Sequence, residues 1–215
     1  GKDQVSALMT TSELALDYPK EIVDEYVKLG FHSIFLRALN PYGLASHNSN
    51  WELYTERFIS FYKKAFEHIL SINHNGILMI EEFAAIILRK ILTPYCTGFV
   101  DLQSPAGIIN SVLVYNYDGY LYASDESRML AEEGDFTFKI GSVKDPYESL
   151  IYGDKAREWS KVWSNELLAG CSDCGVRAYC GADPVRNHST QKDIYGFRPT
   201  SLLCKKNKAI IEYLI

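Results

Sequence analysis

Ser33-Ile34-Phe35-Leu36-Arg37-Ala38 is a short apolar run that stops at Leu39-Asn40-Pro41-Tyr42-Gly43. An apolar run of this length, closed by turn formers, predicts a buried strand. Upstream, Asp17 reads as an N-cap with Pro19 in the first turn. Ile22, Val23, Tyr26, Val27 and Leu29 then recur at helical spacing, and Gly30 stands where a helix closes. Further upstream, Val5–Thr10 reads as a second short buried strand. Strand, helix and strand in this order make a βαβ unit. That unit implies a parallel sheet in a layered or barrel α/β body.

Downstream, Asn50 or Ser49 is placed to cap a long helix over about residues 51–72, with Leu53, Phe58, Phe61, Tyr62, Phe66 and Ile69 on its apolar face. A shorter helix over about 80–91 ends at Thr93-Pro94. The pattern then changes. Val112–Tyr115 and Tyr120–Ala123 flank Asn116-Tyr-Asp-Gly119, a hairpin signal with Asp-Gly at the turn. Residues 153–168 read as one helix with Trp159, Val162 and Trp163 on one side. After Gly170 the chain is cysteine-rich and loop-like until helical spacing resumes at about Lys205.

The 215 residues are 47% hydrophobic and include 15 Tyr, which suits a folded chain rather than a disordered one. No apolar run reaches the length of a membrane span, and no signal-peptide pattern opens the chain. Gly1 is not preceded by Met, as expected of a cloned fragment or a processed product. Of 22 Lys/Arg and 27 Asp/Glu, residues 171–215 hold seven and four, so a net +3 tail follows a net −8 body. No basic stripe interleaved with stacking aromatics accompanies that tail, so nucleic acid is not expected as a partner.

Four of the five cysteines crowd the last 45 residues: Cys171-Ser-Asp-Cys174-Gly-Val-Arg-Ala-Tyr-Cys180, then Cys204. Clustered thiols in a chain without a signal peptide suggest a metal site in a reducing, cytoplasmic compartment. Two thiolates separated by two residues can face one centre. Cys180-Gly181 supplies a third ligand, and Cys204 closes the set. Four thiolates suit an iron–sulfur cluster or a structural zinc, and spacing does not separate the two.

The Cys-x2-Cys-x5-Cys run with a distant last Cys resembles the SPASM domain, the auxiliary-cluster module of many radical S-adenosylmethionine (AdoMet) enzymes that modify peptides. Asp118-Gly119-Tyr-Leu-Tyr-Ala-Ser124 resembles that module's Gly-x4-Cys hairpin, and Cys96 the cysteine before it. The segment through Phe35–Gly43 resembles the last strand–helix units of a radical SAM partial barrel. Cys180-Gly-Ala-Asp-Pro184 resembles the maturase of the His-Xaa-Ser peptide system. The resemblance implies an α/β fold in two parts: residues 1–93 from the end of a partial TIM barrel, and residues 94–215 as an α+β SPASM-like iron–sulfur domain with a β-hairpin. It further implies the C-terminal part of an enzyme acting on a ribosomally made precursor peptide, with a possible redox donor as second partner.

Within that resemblance, Cys171, Cys174, Cys180 and Cys204 are expected to hold one [4Fe-4S] cluster for electron transfer or for ordering the substrate wall. The alternative is a zinc-stabilised binding or scaffold domain without a redox role. Arg37, Asn40 and Tyr42 are the candidates for contact with AdoMet. Two positions where the family has further cluster ligands are Ser124 and Pro184 here, so a first auxiliary cluster is not expected. No Cys-x3-Cys-x2-Cys loop occurs in the chain. AdoMet and the initiating cluster are therefore expected only in the full-length protein, and this fragment alone is expected to be inactive. His188 lies inside the cysteine run and is not expected to ligate. Asp125 and Glu126, just past the hairpin, are placed to face a substrate cavity or simply to leave the turn.

Overall fold

The computed structural model describes residues 7–47, 50–109 and 111–215. Val5 and Ser6 of the expected first strand, and Ser49 as a cap, lie outside these residues. The chain forms two compact units.

Unit 1 takes the described residues of Gly1–Leu39, Ser49–Thr97 and Leu202–Ile215. Strands β1 (Ala7–Thr11), β2 (Ser33–Ala38) and β3 (Ile80–Glu81) form a parallel sheet in that order. Thr10 lies opposite Arg37, and Ile34 opposite Glu81. Helix α1 (Pro19–Lys28) joins β1 to β2, as the βαβ reading requires. Asp17 is not its cap: it sits in a short 3₁₀ turn and pairs with Arg57 at 2.8 Å. The helix closes on Gly30 (φ 80°). The Gly30 N–H donates to Val27 and the Phe31 N–H to Tyr26, so two terminal carbonyls are satisfied.

Helix α2 (Trp51–His74) is capped by Asn50, whose side chain accepts the Leu53 N–H at 3.2 Å. Tyr54, Phe58, Phe61, Tyr62, Ala65 and Ile69 form its buried stripe, whereas Leu53 is exposed. Burying side chains of this size stabilises by roughly 1.5–3 kcal/mol each. Helix α3 (Glu82–Leu92) follows β3, and helix α8 (Leu202–Leu214) packs against α2 and α3.

Glu81 ties these elements together. Its carboxylate accepts the Leu36 N–H of β2 at 3.1 Å and caps α3 through the Ala84 N–H at 2.6 Å. It also accepts the Tyr62 hydroxyl of α2. Where β3 ends, the side chain thus continues the hydrogen bonding along β2. Burial pushes this carboxyl up to about 7, against the lowering effect of those bonds.

Unit 2 takes the described residues of Asn40–Asn48 and Gly98–Ser201. Strands β4 (Val114–Tyr115), β5 (Tyr120–Tyr122) and β6 (Lys139–Ser142) form an antiparallel sheet, and β4 and β5 make the expected hairpin. Asp118 is a turn residue: its carboxylate accepts the Tyr120 N–H at 2.9 Å and the Tyr122 hydroxyl at 3.0 Å. Helices α4 (Asp125–Glu132), α5 (Tyr147–Tyr152), α6 (Asp154–Trp159) and α7 (Pro184–Gln191) surround a core that includes Tyr42, Ile108, Leu130, Phe138, Trp159, Val162 and Val185. The single helix read over residues 153–168 is shorter. Gly153 is extended, α6 stops at Trp159, and i→i+3 turns carry the chain on.

Candidate binding cavity

The expected four-thiolate site is not assembled. Among the described residues, which include all five cysteines, no group of three or more His, Cys, Asp or Glu side chains is placed to hold a metal ion. That finding overturns the [4Fe-4S] cluster on Cys171, Cys174, Cys180 and Cys204, with its electron-transfer and wall-ordering roles, and the zinc alternative with it. The local backbone supplies a reason. The run advances in i→i+3 turns, with Cys174 N–H on Cys171, Arg177 N–H on Cys174 and Cys180 N–H on Arg177 at 3.0–3.2 Å. Side chains three apart in such turns are neighbours. Within this run the Arg177 guanidinium donates to the Ser172 carbonyl. The Cys180 thiol donates to the Gly181 carbonyl at 3.7 Å, and Cys96 is exposed.

Of the AdoMet candidates, Arg37 is half-buried on β2 in unit 1. Asn40 belongs to unit 2, where its side-chain oxygen accepts from the Arg186 guanidinium at 3.0 Å. Tyr42 is buried in the unit 2 core. His188 bonds Asp135 at 2.7 Å and meets the Phe138 ring edge-on.

A cavity of 160 Å³ opens within unit 2, between the segment around Val100–Ile108, the start of α4 and the start of α7. Ala106, Ile108, Val112, Pro184 and Val185 give it apolar walls, and the acidic residues Asp101, Asp125, Glu126 and Asp183 also line it. Ser124 and Pro184, the two positions at which the resembling family carries cluster ligands, stand on this same wall. Each now starts a helix. Ser124 caps α4 in a reciprocal pair with Ser127, at 3.2 and 2.8 Å. Pro184 is the first residue of α7, behind its cap Asp183, which accepts the Arg186 N–H at 2.8 Å.

Asp125 is engaged by Arg128 at 2.9 and 3.0 Å. Among the described residues, neither Asp101 nor Glu126 has an ion pair. Burial pushes the Asp183 carboxyl up to about 6. The Arg186 N–H and guanidinium oppose that shift, while Glu126 and Asp101 add to it. Tyr42 is 4% exposed, and its hydroxyl has no hydrogen-bond partner. Burial raises its pKa well above the usual phenol range, and the charges of Asp183, Glu126 and Asp101 raise it further, against the lowering influence of Arg186.

Asp183 was not singled out from the sequence, although Asp183-Pro184 is the signature of a capped helix start. Reading Pro184 only as a lost ligand hid it.

No family model and no curated protein matches the chain. Solved structures do. Histidine-tagged anSMEcpe with bound AdoMet matches with a TM-score of 0.68 at 16% identity, over 97% of this chain and 52% of that one. Native anSMEcpe with bound AdoMet and the Cp18Cys peptide gives 0.70 at 16%, over 97% and 55%. Its complex with AdoMet and the Kp18Cys peptide gives 0.65 at 16%, over 97% and 54%. The chain thus spans about half the length of the structures it matches. Among the described residues, no helix is long and apolar enough to cross a membrane. At this identity the likeness speaks to the fold alone: a partial parallel α/β sheet and a separate hairpin-bearing part.

Proposed function

We propose that this chain is a peptide-interacting domain of radical SAM/SPASM type, and that unit 2 supplies peptide contacts. One observation carries this proposal. The fold is shared over 97% of the chain with structures that hold AdoMet together with a peptide. The unit 2 cavity adds support, because apolar walls beside a few convergent polar groups are what a small binding site requires. The chain's own residues then bind and orient a peptide and exclude water from it. AdoMet, held by the whole protein, supplies the reactive chemistry. Arg37 is our proposed contact on that side, because ligands of parallel sheets bind beyond the C-terminal ends of the strands.

In the finer form of this proposal the peptide is ribosomally made, and the subfamily is the maturase of the His-Xaa-Ser system. The Cys180-Gly-Ala-Asp-Pro184 run supports that assignment. A cytoplasmic setting belongs to the same proposal, supported by five cysteines without a disulfide. The test is a display library of random peptides panned on the purified, reduced chain. Enrichment of related sequences that bind the parent, and bind a unit 2 cavity variant such as Glu126→Arg more weakly, supports the proposal. Enrichment no greater than on an unrelated control protein overturns it.

A further inference from the structure

We propose that Cys171 and Cys174 form a reversible dithiol–disulfide pair, oxidised by a small disulfide of the glutathione type without rearrangement of the backbone. This inference is independent of the function proposed above.

The geometry of one turn carries it. The Cys174 N–H donates to the Cys171 carbonyl at 3.0 Å, so the two cysteines are the ends of an i→i+3 turn. A turn of this kind holds its end Cα atoms less than about 7 Å apart, and a disulfide spans about 4.4–6.8 Å between Cα atoms. The turn is fixed on both sides. The Cys171 and Ser172 N–H groups donate to the carbonyl of Leu168, a residue of the unit 2 core, at 3.0 and 3.1 Å. The Arg177 N–H donates to the Cys174 carbonyl at 3.1 Å, and the Arg177 guanidinium donates to the Ser172 carbonyl between the two cysteines. Glu166 in turn holds Arg177, at 3.7 Å. Two thiols ordered in this way react as one centre, because folding has already removed the freedom that would keep them apart. Both are partly exposed, and a small disulfide reaches them from solvent. Cys180 is the poorer partner: it lies two turns further on, and its thiol donates to the Gly181 carbonyl at 3.7 Å.

Cys171 packs against the unit 2 core, which leaves Cys174 as the attacking thiol. Its thiolate attacks one sulfur of oxidised glutathione, the S–S bond there breaks, and one glutathione thiolate departs. The Cys171 thiolate then attacks the Cys174 sulfur of the mixed disulfide and releases the second glutathione. One S–S bond forms in the protein as one breaks in glutathione. The two protein thiols are oxidised, glutathione is reduced, and the two protons leave on its two thiols. A partly exposed disulfide closing so short a loop belongs to the labile class, suited to a switch rather than to a structural link.

The test equilibrates the reduced full chain anaerobically with glutathione buffers, quenches it in acid, alkylates the remaining thiols and digests it with trypsin. Cleavage after Lys161 and Arg177 releases residues 162–177, which hold Cys171 and Cys174 and no other cysteine. As oxidised glutathione is raised, this peptide should appear unalkylated and lighter by two hydrogens, and excess reduced glutathione should restore the dithiol. The ratio of disulfide to dithiol should be at least about tenfold higher in the native chain than in the chain unfolded in urea at the same glutathione ratio, as expected where the fold positions both thiols. Cys171→Ser should instead accumulate glutathione on Cys174.

Absence of the lighter peptide in oxidised glutathione alone, or a disulfide joining either residue to another cysteine, would overturn the pairing. Equal oxidation of the native and urea-unfolded chains would overturn the role of the turn. A disulfide that excess reduced glutathione does not open would overturn its reversibility, and no adduct on Cys174 in Cys171→Ser would overturn the assignment of the attacking thiol.

Discussion

Gly181 approaches the backbone of Asp101 so closely that a Cβ on it would overlap the Asp101 carbonyl oxygen and lie 2.8 Å from the carbonyl carbon. Beside it, the Ala182 N–H donates to the Gln103 carbonyl at 3.0 Å. The glycine after the third cysteine of the run therefore serves a backbone-to-backbone contact. That contact joins two walls of the cavity, one carrying Asp101 and the other Ala182 and Asp183.

Gly181→Ala tests that contact. The opposing atoms are backbone and cannot rotate away, so the segments must separate. We expect a loss of about 2–3 kcal/mol, read by urea denaturation. A change below about 0.5 kcal/mol, the range of ordinary surface substitutions, would show that the close approach is not required.

Glu81 makes stability depend on pH in a defined direction. Its carboxyl sits at about 7 in the folded chain against an ordinary value of 4.5. The folded state then holds its proton more tightly than the unfolded state does. This contribution is fully present below about pH 4.5, declines as pH rises towards 7, and is flat above that. The span is roughly 3 kcal/mol. Glu81→Gln, which has no proton to lose, should flatten that slope in denaturation midpoints measured from pH 4.5 to 8. An unchanged slope would place its origin elsewhere.

Trp159 anchors unit 2, with its ring 5.3 Å from that of Phe138 and 3% of its surface exposed. Trp159→Ala should cost about 3–5 kcal/mol. Near-ultraviolet circular dichroism and urea midpoints measure it. A cost under 1 kcal/mol would mean that this cluster does not hold the unit together.

Tyr42→Phe is expected to stabilise the unliganded chain by about 1–2 kcal/mol, since it removes a buried hydroxyl that has no partner. Thermal melts of the two proteins compare this directly, and a lower melting temperature in the variant would show that the hydroxyl is satisfied in the free protein.

Much of the architecture was legible in the sequence because its signals are local. The spacing from Ile22 to Leu29 with Gly30, the long apolar face of α2, and Asp118-Gly119 at the hairpin each specify an element by themselves. Strand β3 was not legible: two residues, Ile80 and Glu81, carry no periodicity, and its partner β2 is distant in sequence. The helix read over residues 153–168 failed because aromatic spacing there reflects packing on Phe138 rather than continuous helix. The cysteine run misled for another reason. Regular spacing along the chain does not determine which side chains converge. The cavity was half legible. Ser124, Asp125, Glu126 and Pro184 each drew attention, but their convergence with Asp101 and Asp183 depends on two helix starts and a backbone contact at Gly181.

Hydrogen–deuterium exchange of the full chain, with and without a saturating amount of a library-selected peptide, tests most directly whether unit 2 supplies the peptide contacts. Slowed exchange is expected around residues 100–108, at the start of α4 and over residues 182–187, with Glu126→Arg abolishing it. Protection confined to α1, α2 and α3 of unit 1, or no protection at saturation, would contradict the account.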